Sequence, residues 1–290
     1  MFLVILGILL LLIIGFFMES KREQRYFVVK RKVLGCSKLD NMSKDFNLVV
    51  LSDLHGKVYG VDNDILLKSI ENENPDAILI AGDMLVGKVD EEHSEAVSFC
   101  TRLPEIAPVY YALGNHEQRM KEDIEVYGDS AFIDYKRKLV KAGVNFIENN
   151  HIDFEYNGSS VSIYGLELPM DTYKKFKKII VNKEDVEQCI GKPDKTRFNI
   201  LLAHNPAYVP AYKEWGADMI VSGHLHGGLI RLPFIGAVIT PQMRLFPKYS
   251  GEITLEDGHI IVVSKGLGTH TFNIRFLNEA EVISLKFQNR

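Results

Sequence analysis

The sequence predicts an α/β fold preceded by an N-terminal apolar helix, and two observations lead to it. Short apolar runs of strand length, at 47–51, 77–80, 109–113, 198–202 and 219–221, alternate with segments of helical periodicity. Each of these runs ends in polar residues, accompanied by glycine in four of the five, at the position where ligands bind in open α/β sheets. The pattern predicts buried, mainly parallel strands with the functional residues at one sheet edge.

The N-terminal apolar run, residues 2–18, predicts a membrane helix. Its length is near the lower limit of the roughly 17–25 residues that span a bilayer. Lys21, Arg22 and Arg25 follow the run, whereas a secretory signal carries its basic residues in front and a cleavage site behind. Because Lys and Arg cluster on the cytoplasmic flank of membrane helices, we expect a single-pass cell-membrane protein facing the cytoplasm. An uncleaved signal of opposite orientation and an interfacial helix are the alternatives.

The chain is expected to divide into a transmembrane or signal-anchor helix over 1–20, a basic and polar linker over 21–45, and one domain over 46–290. Within this domain the periodicity predicts helices at 64–70, 91–103, 130–142, 171–189 and 208–215. Further strands are predicted at 144–147, 153–156, 161–164, 252–255, 260–263 and 281–287.

The composition indicates a packed domain without a strongly charged partner. Hydrophobic residues make up 46% of the 290 residues and the net charge is −4, so no nucleic acid partner is expected. The three cysteines are dispersed and lack CxxC or zinc-ribbon spacing, which favours reduced, structural thiols. The oligomeric state stays open.

The polar residues that follow the strands have the chemistry of a metal site. Carboxylate, amide and imidazole groups together suit Mn, Fe or Zn, and a site without thiolates is unlike structural zinc. Two divalent ions about 3.5–4 Å apart, bridged by a carboxylate, would use all the ligands and promote in-line displacement at phosphorus. The candidate residues are Asp53, His55, Asp83, Asn115, His116, His204, His224 and His226.

In order, the blocks Asp53-Leu54-His55, Gly82-Asp83, Gly114-Asn115-His116-Glu117, His204 and Gly223-His224-Leu225-His226 resemble the calcineurin-like metallophosphoesterases. The resemblance covers roughly residues 47–285. It implies a four-layer α/β-β/α sandwich, a dimetal site at the sandwich edge, and a phosphoester hydrolase whose catalytic domain spans 46–290.

The resemblance also implies a role for each residue. His116 would contact the phosphate and protonate or stabilise the leaving oxygen, and a metal-bound hydroxide would be the nucleophile. The implied ligands of the first ion are Asp53, His55 and His226. Those of the second ion are Asn115, His204 and His224, and Asp83 would bind both ions.

One departure from the family narrows the expected substrate. Protein Ser/Thr phosphatases carry a phosphate-clamping arginine after the second block, whereas this chain reads Gly-Asp-Met-Leu-Val-Gly-Lys over 82–88. The chain looks more like the membrane-associated bacterial phosphodiesterase branch, some members of which hydrolyse the pyrophosphate of UDP-diacylglucosamine. We therefore expect a phosphodiesterase or pyrophosphatase acting on a membrane-associated or nucleotide-containing substrate. A phosphomonoesterase or protein phosphatase, and a metal-bearing scaffold without catalysis, are the alternatives.

Three features outside the ligand set bear on substrate choice. The apolar stretches 229–240 and 243–247 contain arginine, and either bind a lipid-linked substrate or pack as ordinary core and loop. The basic stretch 173–178 is either a lid or membrane contact or a solvated helix face. His270 is a further candidate for substrate contact.

Overall fold

Three hydrophobic cores separate four layers of secondary structure in the computed structural model of this chain. The structure describes residues 1–89, 93–174, 179–232, 234–240, 243–269 and 273–289. Helices cover the outer faces of two six-stranded sheets, and the sheets pack on each other. The predicted α/β class is therefore confirmed, and the cores give the four-layer arrangement of helix, sheet, sheet and helix.

The helices of the described residues are short, apart from the first. Their bounds are α1 Phe2–Glu23, α2 Asp64–Glu71, α3 Ser94–Cys100, α4 Asn115–Glu122, α5 Ile124–Tyr127, α6 Ala131–Lys141, α7 Lys183–Ile190 and α8 Val209–Trp215.

The strands form two large sheets and one small one. Their bounds are β1 Phe27–Leu34, β2 Phe46–Leu51, β3 Ala77–Ile80, β4 Val109–Tyr111, β5 Val144–Phe146, β6 Asn150–Tyr156, β7 Ser159–Leu166, β8 Phe198–Ala203, β9 Met219–Ser222, β10 Ile230–Leu232, β11 Gly236–Ile239, β12 Ile253–Glu256, β13 His259–Val263 and β14 Ala280–Phe287. The first sheet has the order β1-β14-β2-β3-β4-β5, the second β12-β13-β9-β8-β7-β6, and β10 pairs with β11.

Strand β2 shows why these sequences form buried strands. Leu48 and Val50 belong to the core between the two sheets, whereas Val49 and Leu51 belong to the core beneath the outer helices. Successive side chains of a strand point to opposite faces, so a strand covered on both faces needs an unbroken apolar run. The neighbours β3 and β4 run parallel to β2, and β8 and β9 run parallel in the second sheet.

The linker expected over 21–45 contains a strand of the first sheet. Strand β1 pairs in parallel with β14 along its whole length, from Phe27 opposite Ala280 to Leu34 opposite Phe287. Phe27 and Val29 pack against the helix-side core while Lys30 and Lys32 stay exposed. The linker prediction is therefore wrong for these residues, because their basic side chains mask an edge strand whose partner lies at the far end of the chain.

The helix expected over 171–189 is shorter than predicted. Residues Met170–Tyr173 form one 3-10 turn, and α7 begins only at Lys183, where Asn182 and Asp185 cap it reciprocally. Residues 175–178 of that prediction, and 90–92 at the start of the helix expected over 91–103, lie outside the described residues. Helix α4 lacks an apolar stripe and was not predicted from periodicity.

Helix α1 leaves its apolar side chains exposed over most of its 22 residues. By length and composition it is sufficient to cross a membrane, and an N-terminal signal sequence has the same properties. The last turn of α1 differs from the rest of the helix, because its residues Ser20 and Glu23 are buried against the domain.

Candidate metal centre

The carboxyl ends of strands from both large sheets bring all eight predicted site residues to one edge of the sandwich. Asp53 and His55 follow β2, Asp83 follows β3, Asn115 and His116 begin α4, His204 follows β8, and His224 and His226 follow β9. The backbone N–H of His224 donates to the Asp53 carboxylate at 3.1 Å, which joins the two sheets at this point.

The loops of this edge adopt an uncommon backbone conformation. Asp53, His55, Asp83, His224 and His226 all have positive φ angles, between 50° and 70°. Such angles are rare for residues other than glycine, and their concentration is typical of functional sites. The conformation turns the chain back at each strand end, so that the side chains face one another.

One group of ligands consists of Asp53, His55 and His226. Their ligand atoms lie within 4.8 Å of one another and all three residues are buried. The Nε2 atoms of the two imidazoles are 3.3 Å apart, and Nε2 of His226 lies 3.5 Å from Oδ1 of Asp53. The Ser52 hydroxyl donates to the other Asp53 oxygen at 2.6 Å and so orients the carboxylate.

A second group consists of Asp83, His204 and His224. Nε2 of His204 lies 3.1 Å from Oδ2 of Asp83, while Oδ1 of Asp83 accepts from the backbone N–H of His116 at 2.9 Å. Among the described residues, Oδ1 of Asn115 has no hydrogen-bond partner although it is buried. A polar atom left unsatisfied at this depth is a candidate metal ligand.

Backbone carbonyl groups fix the tautomers of three histidines. Nδ1 of His55 faces the carbonyl of Leu85 at 3.3 Å, and Nδ1 of His226 faces that of Gly268 at 3.2 Å. Nδ1 of His204 faces the carbonyl of Ala81 at 2.5 Å. A carbonyl only accepts, so each Nδ1 carries a proton and each Nε2 is the nitrogen turned toward the cluster, where it can bind a cation in place of a proton. This is the arrangement found in metal-ligating histidines.

His116 has the opposite arrangement. The backbone N–H of Gly87 donates to Nδ1 of His116 at 3.0 Å. The proton of the neutral imidazole is therefore on Nε2, which lies 3.9 Å from Oδ2 of Asp83. His116 thus turns toward the cluster a nitrogen that carries a proton in the neutral ring, whereas the other three turn the nitrogen that is free to bind a cation.

The electrostatics of the cluster favour bound positive charge. Burial opposes ionisation of Asp83, but His204 and His116 hold its pKa well below the usual range. Burial likewise opposes a charged His204, yet the Asp83 carboxylate raises the pKa of His204 to about 10. Burial, followed by the charge of His204, lowers the pKa of His224 well below its ordinary value. The buried carboxylates attract positive charge that the crowded imidazoles carry only in part as protons, an arrangement suited to divalent cations.

A family model described as calcineurin-like phosphoesterase matches residues 46–228. The chain belongs to this family. Metallophosphoesterases are hydrolases of phosphoesters, and the enzyme class expected from the sequence is therefore confirmed.

The relatives of this metallophosphoesterase include bacterial proteins that match it over most of their length. It is 28% identical over 251 residues to the metallophosphoesterase YkuE of Bacillus subtilis, covering 84% of this chain and 80% of that protein. Identity to the metallophosphoesterase YkoQ of the same organism is 24% over 287 residues, covering 97% and 98%. Among solved structures, phosphopantetheinyl hydrolase from Mycobacterium tuberculosis matches with a TM-score of 0.47 and 15% identity, covering 77% of this chain and 89% of that chain.

Glu117 supports the centre of this metallophosphoesterase and had no role in the sequence interpretation. Its buried carboxylate accepts from the backbone N–H groups of Asp83 at 2.9 Å, Met84 at 2.8 Å and Gly114 at 3.0 Å, and from the Tyr111 hydroxyl at 2.8 Å. Burial and the charge of Asp83 raise its pKa to about 7. Glu117 ties the loop of Asp83 to the start of α4. The capping-box spacing from Gly114 to Glu117 was the signal that could have revealed it.

Two glycines allow the loops of the centre to approach. A side chain at Gly114 would overlap the carboxylate and backbone of Asp83, and one at Gly223 would overlap the Ser52 hydroxyl and the Asp53 carboxylate. The glycines of these motifs therefore provide space for the metal ligands themselves.

Arg275 and Asn278 support the loops around the centre through hydrogen bonds to their backbone carbonyl groups. The buried guanidinium of Arg275 donates to the carbonyl groups of Lys265 at 2.8 Å, Gly266 at 3.0 Å and Gly268 at 2.9 Å. Asn278 donates from Nδ2 to the carbonyl of His226 at 2.7 Å and to that of Gly228 at 2.6 Å. The segment before β14 therefore positions the loop that carries His226.

The rim beside His224 combines aromatic and basic residues. The Tyr173 ring lies edge-on to His224 with ring centroids 5.0 Å apart. A small concavity here is also lined by Lys174, which pairs with Asp171, and by Arg244. The remaining lysines of the stretch 173–178 and the candidate contact His270 lie outside the described residues.

Proposed function

We propose that this chain is a membrane-anchored, dimetal-dependent hydrolase of phosphodiester or pyrophosphate bonds. The observation that carries the proposal is that Nδ1 of His55, His204 and His226 each faces a backbone carbonyl, so that their Nε2 atoms converge on two buried carboxylates. Imidazoles held in this way present lone pairs to cations rather than protons to a substrate.

The donor set fits two divalent ions. The carboxylate, amide and imidazole groups suit Mn, Fe or Zn, and the unsatisfied Oδ1 of Asn115 is available as a ligand. When bound, such ions supply Lewis-acid activation of water and of the phosphate. We assign Asp53, His55 and His226 to the first ion. We assign Asn115, His204 and His224 to the second ion, and Asp83 to both.

His116 is assigned as the proton donor of the reaction. Its Nδ1 is occupied by the N–H of Gly87, so the proton on Nε2 faces the cluster, where the leaving oxygen of a bound phosphoester would lie. A protein that only binds metal has no need of a proton donor at this position. The orientation of His116 therefore favours a hydrolase over a metal-bearing scaffold.

The basic side chains of the concavity beside His224 favour a substrate with more than one anionic group. Arg244 lines the concavity beside His224, and cations placed beyond the metal ligands suit the second phosphate of a pyrophosphate or the remainder of a diester. The arginine that follows the second block in protein Ser/Thr phosphatases has no counterpart in residues 84–88. A lipid-linked nucleotide diphosphate is the substrate class that best combines these properties with a membrane helix.

The membrane part of the proposal rests on α1. The helix is followed by Lys21, Arg22 and Arg25, whose exposed positions suit the cytoplasmic surface of a bilayer. We propose a single-pass anchor in the cell membrane with the catalytic domain on the cytoplasmic side.

The test is the substitution Asp83→Asn, assayed for metal-dependent hydrolysis of bis(p-nitrophenyl) phosphate. The amide is neutral and a weaker ligand, so hydrolysis is expected to fall by at least ~100-fold together with metal content, given that lesser changes around metal sites cost about 10–100-fold. Asp257→Asn is the matched control, since Asp257 lies in the exposed turn between β12 and β13.

Near wild-type hydrolysis by the Asp83→Asn variant would refute the dimetal assignment. On wild-type protein of known metal content, a panel of lipid-linked nucleotide diphosphates, soluble nucleotides and phosphoproteins then decides the substrate class. Turnover of phosphoproteins alone would favour the phosphatase alternative.

A further inference from the structure

A small apolar sheet begins directly after the metal ligands of β9. The hairpin β10–β11 is extended on one side by a bridge from Ile230 to Phe276 and on the other by a bridge from Ile239 to Leu245. Its backbone hydrogen bonds join Arg231 to Phe276 at 3.0 Å and Phe246 to Val238 at 3.1 Å. Three separate chain segments therefore form one unit beside the metal centre.

This unit exposes large apolar side chains that we refer to as the apolar rim: Phe234, Ile235, Met243, Leu245, Phe246 and Leu277. Phe234 is fully exposed, and 61% of Phe246 is accessible. Single exposed apolar residues are ordinary, but a contiguous group of them marks a surface that binds an apolar partner. Helix α1 carries the longest run of exposed large apolar side chains among the described residues.

The small sheet that carries the apolar rim is in direct contact with α1 through Phe276. The rings of Phe16 and Phe276 lie 4.8 Å apart between centroids, and Phe16 is half-buried in an otherwise exposed stretch of the helix. Since Phe16 precedes Ser20 by four residues, it lies about 6 Å further into the apolar part of the helix. The small sheet therefore reaches the level at which α1 is already apolar.

The end of α1 is fixed rigidly to this part of the domain. Ser20 accepts from the backbone N–H of Arg275 at 3.1 Å, and Glu23 accepts from that of Asn278 at 2.8 Å. Gln24 donates to the carbonyl of Asn273 at 2.8 Å. A helix held at its last turn in this way cannot enter a bilayer without bringing residues 273–278 and the adjoining sheet to the membrane surface.

The same loops reach the metal centre. Asn278 binds the carbonyl of His226, and Arg244, which lies between Met243 and Leu245 of the apolar rim, lines the concavity beside His224. If the apolar rim docks at the bilayer, the metal centre faces the phosphate-bearing head groups.

We propose that the apolar rim is a membrane-docking surface, which inserts into the bilayer interface beside α1 and holds the metal centre at head-group level. The partner is the lipid bilayer itself, since continuity with the anchoring helix selects it over a second copy or another protein. This inference rests on the membrane anchor of the proposed function and extends it by giving the orientation of the catalytic domain.

The test measures depth directly and does not depend on hydrolysis. The chain contains a single tryptophan, Trp215, which is buried, so a tryptophan placed at Phe234 or Phe246 reports its own surroundings. Full-length Phe234→Trp and Phe246→Trp variants are reconstituted in vesicles of phosphatidylcholine and phosphatidylglycerol, with and without bromine on the acyl chains. Wild-type emission is subtracted.

Ile133→Trp is the matched control. Ile133 is 60% exposed, close to the value for Phe246, but it lies on α6, which packs beside β5 at the opposite edge of the first sheet from β1. The expected result is loss of emission in brominated vesicles for the two rim variants and unchanged emission for the control.

Equal emission of the rim variants in brominated and plain vesicles would overturn the proposal. Blue-shifted emission without bromine quenching would also overturn it, because a protein partner would then cover the rim. Co-flotation of the same variants with the vesicles is measured separately, so failure of docking is distinguished from failure of the membrane anchor on which the proposal rests, and hydrolysis of soluble bis(p-nitrophenyl) phosphate reports on the catalytic function.

Discussion

Backbone groups decide the proton positions of the histidines in the metal centre. His55, His204 and His226 each face a carbonyl through Nδ1, whereas Nδ1 of His116 faces the N–H of Gly87. The same type of side chain is therefore suited to bind metal in one loop and to donate a proton in another, which are the roles that we propose. Glu117 is a second single residue on which the centre depends, because its carboxylate accepts hydrogen bonds from the N–H groups of the loop that carries Asp83.

A single substitution separates these roles. In His116→Asn the amide oxygen can still accept from Gly87, but the proton at Nε2 is lost. We expect kcat to fall by roughly 10²–10⁴-fold with unchanged metal content, the usual contribution of a general acid.

The leaving group provides the specific readout for His116→Asn. The loss is expected to be large for alkyl phosphodiesters and small for p-nitrophenyl esters, whose leaving group needs little protonation. An equal loss for both substrates, or loss of bound metal, would contradict the assignment of His116 as proton donor.

Among the secondary-structure elements, those next to the centre are held by partners distant in sequence. Strand β1 pairs with β14, and the last turn of α1 binds the segment that precedes β14. Asn278 links this segment to the His226 loop through the carbonyl groups of His226 and Gly228. Helix α1 and the loop that carries His226 are therefore joined through one asparagine.

Asn278→Ala tests this connection. Removing two hydrogen bonds to largely buried carbonyl groups is expected to lower the free energy of unfolding by ~1–3 kcal/mol. It should also weaken binding of the first metal ion, because the loop of His226 loses its support. Metal affinity is measured by titration of the metal-free protein, and stability by urea unfolding in detergent.

Asn199→Ala is the control for a purely structural loss. Asn199 is also buried and donates to two carbonyl groups, of Asp194 at 2.8 Å and Arg197 at 3.1 Å, in a loop away from the metal ligands. Both variants are expected to lose stability, but Asn199→Ala should keep wild-type metal affinity. If the two variants bind metal equally well, Asn278 has no positioning role.

For the whole molecule, the metal centre is a junction between the two large sheets. Its residues come from the ends of β2 and β3 and the start of α4 on one side, and from the ends of β8 and β9 on the other. Contacts such as the His224 N–H to the Asp53 carboxylate already cross this junction. Ions bound between the sheets are therefore expected to stabilise the fold as well as to serve catalysis.

Metal removal should lower the thermal stability of the chain. A ligand present at 100 times its Kd contributes about 2.7 kcal/mol. Each kcal/mol corresponds to about 2–4 °C in a domain of this size, so chelation is expected to lower Tm by ~5–10 °C. The measurement is calorimetry in detergent before and after EDTA, with Mn²⁺ added back. An Asp83→Asn variant with the same EDTA-induced shift would indicate that the ions stabilise the fold from another site.

The order and chemistry of the strand-end residues are sufficient to predict the α/β class and to nominate the eight residues of the site. This is possible because a buried parallel strand needs a continuous apolar run, and because its carboxyl end is the place where ligands bind. Both are local properties of the chain, visible in a few consecutive residues such as 47–55.

Tertiary structure alone decided the features that depend on distant partners. Strand β1 was taken for a linker because its pairing partner β14 is some 250 residues away, and α4 was missed because Glu117 fixes its start through contacts with the Asp83 loop. The tautomers of the histidines likewise follow from carbonyl and N–H groups of other segments. The contact between α1 and the small sheet beside the metal centre also depends on partners distant in sequence. Such partners are brought together only by folding, so they leave no periodic pattern in the sequence.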